Sequence, residues 1–158
     1  MSRNYMNIRL AYETKFWLEC LQEEVQKVLD SSIEEEDMKE FECLIMRELE
    51  QKNALLGAVS ITTFFKVSSS SVIEKAYQET KNYTQSEWAE LARQMKTTKV
   101  QQDMKIGTLT PRLYLEDSII AELEKYQILF KSEEMVRQVR MSYVLKLLVF
   151  AYYKKIFL

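Results

Sequence analysis

Apolar residues recur at three- and four-residue steps along most of this chain, the spacing that lines one face of a helix. Leu10, Trp17, Leu18, Leu21, Val25, Val28 and Leu29 predict a helix over about residues 4–29, broken by Asp30-Ser31-Ser32. Ser32 and Glu35 then form the spacing of a capping box, in which hydroxyl and carboxylate satisfy the free amides of a helix start. A second helix over about 33–56 is expected to bury Met38, Phe41, Ile45, Leu49 and Leu56. Between Gly57 and Val67 the pattern changes, and Val59, Ile61, Thr63, Phe65 and Val67 alternate as in a strand. No second segment of similar quality offers itself as a pairing partner, and a lone strand would leave its backbone groups unpaired. The stretch is therefore read as helix continuing past, or restarting at, Gly57.

Four serines, 68–71, read as an inter-helix linker, with Ser71 and Glu74 repeating the capping-box spacing. A helix from 72 to about 83 follows, with Val72, Ile73, Ala76 and Tyr77 inward. Thr84 and Glu87 give a third box, opening a helix that buries Trp88, Leu91, Ala92 and Met95 and runs to about 105, with Gly107 as its stop. Thr110-Pro111 suits an N-cap followed by proline at the first helical position; the alternative start is at Asp117 or Ser118. Leu115, Ile119, Ile120, Leu123, Tyr126 and Phe130 form the inner stripe, and Ser132 is expected to cap a last helix over about 133–157. The pattern predicts a single all-α domain over 1–158, a bundle of six or seven helices.

Composition strengthens this reading. The 158 residues include two glycines and one proline, where about 7% and 5% are usual. Sandwiches and barrels need many tight turns, and α/β folds need Gly-rich loops between strand and helix; two glycines supply neither. Charge adds little globally, at −2, but residues 1–60 hold 7 Lys/Arg against 13 Asp/Glu. Five of those acids, Glu34, Glu35, Glu36, Asp37 and Glu40, open the second helix, where negative charge complements the helix dipole. Cys20 and Cys43 lie in apolar helical contexts and read as free core thiols of a reducing compartment. With charges in every turn of the first 20 residues, no signal peptide is visible, and an intracellular chain, cytoplasmic or nuclear, is expected.

There is no histidine. Ser-His-Asp and Cys-His nucleophile systems, helix-borne His zinc motifs and Glu-x-x-His di-iron sites are thereby excluded, and glycines at 57 and 107 alone cannot build a phosphate loop. Paired carboxylates such as Glu116-Asp117 remain as acids and bases only in a weak sense. The expectation is a non-enzymatic chain with no catalytic residue, cofactor or metal. A basic row, Arg93, Lys96 and Lys99, continued by Lys105, could meet phosphates, though the sequence pI of 5.4 speaks against nucleic acid as the partner.

The segment from Met141 to Leu158 is apolar nearly all round, with Lys146 interrupting it and Lys154-Lys155 near its end. Too few apolar residues stand between those lysines for the ~20 a spanning helix needs. A central core helix is expected, its end facing another protein chain through Tyr152, Tyr153, Ile156, Phe157 and Leu158. Aromatic residues and methionine, of which the chain has 18 and eight, are the types enriched at binding surfaces. Another protein chain is thus the expected partner. The alternatives are a peripheral membrane protein, with Lys146, Lys154 and Lys155 at anionic headgroups, and a nucleic-acid binder.

Overall fold

A computed structural model describes residues 2–52, 64–103 and 105–158. Its element order is β1 (Arg3–Asn7), α1 (Tyr12–Ser32), α2 (Glu35–Lys52), α3 (Ser69–Thr80), α4 (Gln85–Thr97), β2 (Arg112–Glu116), α5 (Asp117–Leu129) and α6 (Met141–Phe157). The protein is mostly helical, with six helices among the described residues, as the periodicity predicts. The contacts group the chain into two compact units where the sequence predicts one domain: Met1–Glu23 with Ser68–Leu158, and Glu24–Val67.

In the first unit, α6 is the helix on which α3, α4 and α5 pack. Its residues Val144, Leu145 and Leu147–Tyr152 are buried, which is why its sequence is apolar on every side. From α1, fully buried Trp17 meets Phe150 with ring centroids 5.0 Å apart. A second aromatic group joins α4 to α5: Trp88 lies 5.6 Å from Tyr126 and 4.9 Å from Phe130. Burial, reinforced by the charges of Tyr77 and Glu122, pushes the Tyr126 hydroxyl pKa up to about 12.

A small sheet stands beside these helices. β1 and β2 pair antiparallel, with Arg3 opposite Glu116, Tyr5 opposite Tyr114 and Asn7 opposite Arg112. The sequence reading missed it. Residues 4–11 were expected in helix 1, yet the helix begins at Tyr12, and Leu10, though buried, lies ahead of it. Thr110-Pro111 leads into a strand, not a helix, and Leu115 is buried from that strand. The later alternative start is the closer one: α5 opens at Asp117, with Glu116 at its N-cap and no side-chain cap.

Other boundaries move for local reasons. Ser32 ends α1 and donates from its hydroxyl to the Val28 carbonyl (2.6 Å), so it does not cap α2; the Glu34 amide donates instead to Asp37 (3.1 Å). The serine stretch is no linker: Ser68 is the N-cap of α3, accepting from the Ser71 amide, and 69–71 are its first turn. Glu74 accordingly serves the sheet. The box at Thr84 and Glu87 forms as read, the Thr84 amide donating to Glu87 at 2.6 Å. α4 ends at Thr97, so Gly107 stops nothing; its amide donates to the Glu19 carboxylate (2.7 Å), and a side chain there would collide with the same oxygen. Residues 131–140 are not helical, and α6 begins only at Met141, capped by Arg140 in place of Ser132.

The second unit holds the C-terminal part of α1, all of α2 and residues 64–67. Gln26 organises it, donating to the Phe65 carbonyl (2.8 Å) and accepting from the Val67 amide (2.8 Å). The predicted core of α2 does not form: none of its residues is fully buried, Met38 and Leu49 are half-buried, and Phe41 and Ile45 are exposed. Leu56 and Gly57 lie outside the described residues, as does most of the ambiguous 57–67 stretch; residues 64–67 are neither helix nor strand.

Candidate functional site

The predicted partner-binding residues share one helix end but not one environment. Tyr152 is 4% exposed and belongs to the core. Tyr153, half-buried, sits between Trp17 (6.1 Å) and Phe157 (4.8 Å). One turn later the helix leaves the body of the unit, and Ile156, Phe157 and Leu158 are 45%, 42% and 79% exposed. Tyr153, Ile156 and Phe157 are spaced three and four apart and so share one side of α6. The result is an apolar stripe that starts in the core and ends in solvent.

The lysines of this end are already engaged. Lys155 donates to Glu79 at 2.6 Å, and Lys75 reaches the same carboxylate at 2.8 Å. These two cations hold the Glu79 carboxyl down at about 2. Lys154 donates to the Gln94 side chain, and Lys146 faces Glu13 at 3.8 Å. Beside the stripe, Tyr83, α4 and α6 line an open cleft of about 450 Å³. Tyr83, Leu91 and Ala151 give it apolar lining, Glu87 and Glu90 its carboxylates, and Lys154 and Lys155 its ammonium groups. Burial raises the pKa of Tyr152 and Tyr153, so both stay neutral hydroxyls. An apolar stripe and a cleft edged by charged side chains thus lie at this end of α6.

The basic row does not form on one helix. Arg93 and Lys96 are exposed on α4, with Arg93 paired to Glu90, but Lys99 and Lys105 fall beyond the end of α4 at Thr97. Both cysteines are free; Cys20 is half-buried and Cys43 is exposed, so Cys43 is not a core thiol. Burial, with the charges of Glu23 and Glu19, raises the Cys20 pKa and keeps it a protonated, unreactive thiol. The Glu34–Glu40 acids spread over the first turns of α2, and among the described residues no three acidic or sulfur side chains converge on a point that could hold a metal ion. Among those residues, too, no helix is long and apolar enough to cross a membrane.

Two exposed features escaped the sequence reading. On α2, Phe41, Leu44 and Ile45 stand in solvent, with Phe41 set edge-on to Phe65 at 6.0 Å. Their helical spacing was visible; their exposure was not. On the outer face of the sheet, the Tyr5 and Tyr114 rings meet at 4.6 Å, tilted by 31°, with the Arg112 guanidinium 3.7 Å from the Tyr5 ring centre and Arg3 5.9 Å from that of Tyr114. The only signal for that ladder was the alternation in Arg-Asn-Tyr-Met-Asn and Arg-Leu-Tyr-Leu-Glu. No family model, curated protein or solved structure matches the chain.

Proposed function

We propose that this chain is a non-enzymatic helical subunit or regulator that works by binding another protein chain, with the end of α6 as its contact surface. One observation carries the reading: a helix buried through Tyr152 presents Ile156, Phe157 and Leu158 to solvent, in line with the half-buried Tyr153. Apolar anchors at three- and four-residue spacing are what a helix inserts into a partner's hydrophobic groove. Large side chains of this kind, desolvated at an interface centre, supply most of the binding energy there. The rim suits the same role, because Lys154 and Lys155 are held by Gln94 and Glu79 and need not be stripped of their partners on docking. Engagement of those lysines, together with burial of Val144–Leu145 and Leu147–Tyr152, favours a protein partner over a lipid surface.

The test is affinity capture of the intact chain from its native lysate at physiological salt, alongside Ile156→Ser/Phe157→Ser/Leu158→Ser. This variant leaves Tyr152 and the core untouched, so circular dichroism should match that of the intact chain. A stoichiometric protein retained by the intact chain and lost from the folded variant is the expected result. Equal retention by both would remove the site, and recovery in the membrane pellet or with nucleic acid would replace the reading.

A further inference from the structure

The two edges of the small sheet are treated differently, and the register shows how. The Asp117 amide donates to the Ser2 carbonyl (3.1 Å), which makes 2 and 117 a hydrogen-bonded pair. In an antiparallel ladder such pairs alternate with non-bonded ones, so Asn4–Leu115 and Met6–Leu113 bond across, while residues 3, 5 and 7 and residues 112, 114 and 116 direct their backbone groups away from each other. On the β2 side those groups are taken. The Tyr114 amide donates to the Ser70 hydroxyl (2.7 Å), the Glu116 amide to the Glu74 carboxylate (3.1 Å), and the Tyr114 carbonyl accepts from Arg3 (3.3 Å). α3 thus closes that edge.

The other edge is left open among the described residues. Among the described residues no group bonds the outward amides and carbonyls of Arg3, Tyr5 and Asn7, and every β1 residue except Met6 is exposed. Open edges are usually blunted by proline, bulges, lysines or a covering element. β1 has neither proline nor lysine, it pairs in unbroken register, and its one charge, Arg3, is drawn across to Glu74 and Glu116 (3.0 and 3.2 Å).

We infer that the free edge of β1 pairs antiparallel with β1 of a second copy of this chain, joining two ribbons into a four-stranded sheet about a two-fold axis at Tyr5. The edge is complementary to itself. With the axis at Tyr5, Arg3 faces the second copy's Asn7 and Asn4 faces its Met6, so no like charges meet. The three outward residues of each strand bond reciprocally, Tyr5 to Tyr5 and Arg3 to Asn7 twice. The tyrosine pair, now Tyr114 against Tyr5, extends across the axis, and cross-strand aromatic pairs of this kind are stabilising. A strand of five residues buries less than a permanent interface does, so the dimer is a concentration-dependent one. It uses a surface separate from the end of α6 and holds whether or not that end binds another protein.

The test is sedimentation equilibrium of the intact chain over a concentration series, with two variants. Tyr5→Pro removes the outward amide but none of the bonds to β2. Tyr5→Cys, on a Cys43→Ser background, places thiols on opposed residues about 5.5 Å apart at Cα, within disulfide reach. The same background with Ser86→Cys on α4 is the control. Reversible dimerisation, abolished in Tyr5→Pro and trapped on oxidation of Tyr5→Cys but not of Ser86→Cys, is the expected result. A monomer at every concentration overturns the inference, as does a dimer that Tyr5→Cys traps no faster than the control. Should Tyr5→Pro unfold, the oxidation comparison decides.

Discussion

α2 and α6 are nearly the same length, 18 and 17 residues, and both carry apolar side chains at helical spacing, yet eight residues of α6 are buried and none of α2. The two differ in what surrounds them. α6 is met by α3, α4 and α5 and by Trp17 of α1, which together bury Val144, Leu145 and Leu147–Tyr152. α2 belongs to a unit with one other helical segment among its described residues, and leaves Phe41, Leu44 and Ile45 in solvent. Periodicity marks a face that gains from burial; it does not say what buries it. A helix apolar all round carries stronger information, because only a crowded interior accommodates it.

That contrast can be tested with matched truncations. Leu148→Ala removes a fully buried side chain from α6 and should cost about 2–5 kcal/mol in chemical denaturation. A cost below 1 kcal/mol would mean that α6 is not central to the fold. Ile45→Ala on α2 should fall within about 0.5 kcal/mol, the range of exposed substitutions; a loss near that of Leu148→Ala would show the α2 face to be covered. The smallest effect concerns the charge tie at the end of α6. Glu79 has its pKa lowered from 4.5 to about 2 by Lys155 and Lys75, so its stabilisation is complete above pH 4.5 and is lost as pH falls toward 2. Melting curves of the intact chain and Glu79→Gln should differ slightly at pH 6 and converge near pH 2. A gap that widened on acidification would contradict the pairing.

Much of the helical fold was legible, because helices are written locally. Thr84 and Glu87 stand three residues apart and cap α4 as their spacing implies, and the all-round apolar run of α6 betrayed its place in the core. The sheet was not legible, for the opposite reason. Arg3 and Glu116 pair across most of the chain, and a five-residue strand such as Arg-Asn-Tyr-Met-Asn has no apolar run to announce it. Leu115, which alternates with Leu113 on β2, could equally be counted into a helical stripe with Ile119 four residues on. The same limit applied to the serines. The box spacing pointed to Ser71 as the cap where Ser68 holds it, and Glu74, which looked like the acid of that cap, was claimed by Arg3 and the Glu116 amide.

At the candidate surface, the sequence reading named Tyr152, Tyr153, Ile156, Phe157 and Leu158 together but could not say where the helix emerges from the core. The structure puts that point between Tyr152, buried, and Ile156, exposed. Ile156, Phe157 and Leu158 are thus its exposed part, and Tyr153 joins them to the core. The loss of Lys99 from the basic row has a similar origin, since Thr97 and Thr98 end α4 by bonding their hydroxyls back to the Gln94 carbonyl, each at 2.9 Å.

The most direct measurement of the central claim is site-specific photo-crosslinking in cells that make the chain naturally, with a photoreactive phenylalanine analogue at Phe157 and, as control, at exposed Glu124 on α5. Protein binding through the end of α6 predicts a discrete crosslinked species from position 157 that contains a second protein and is absent from position 124. Equal labelling at both positions, or none at 157 in a folded chain, would contradict it.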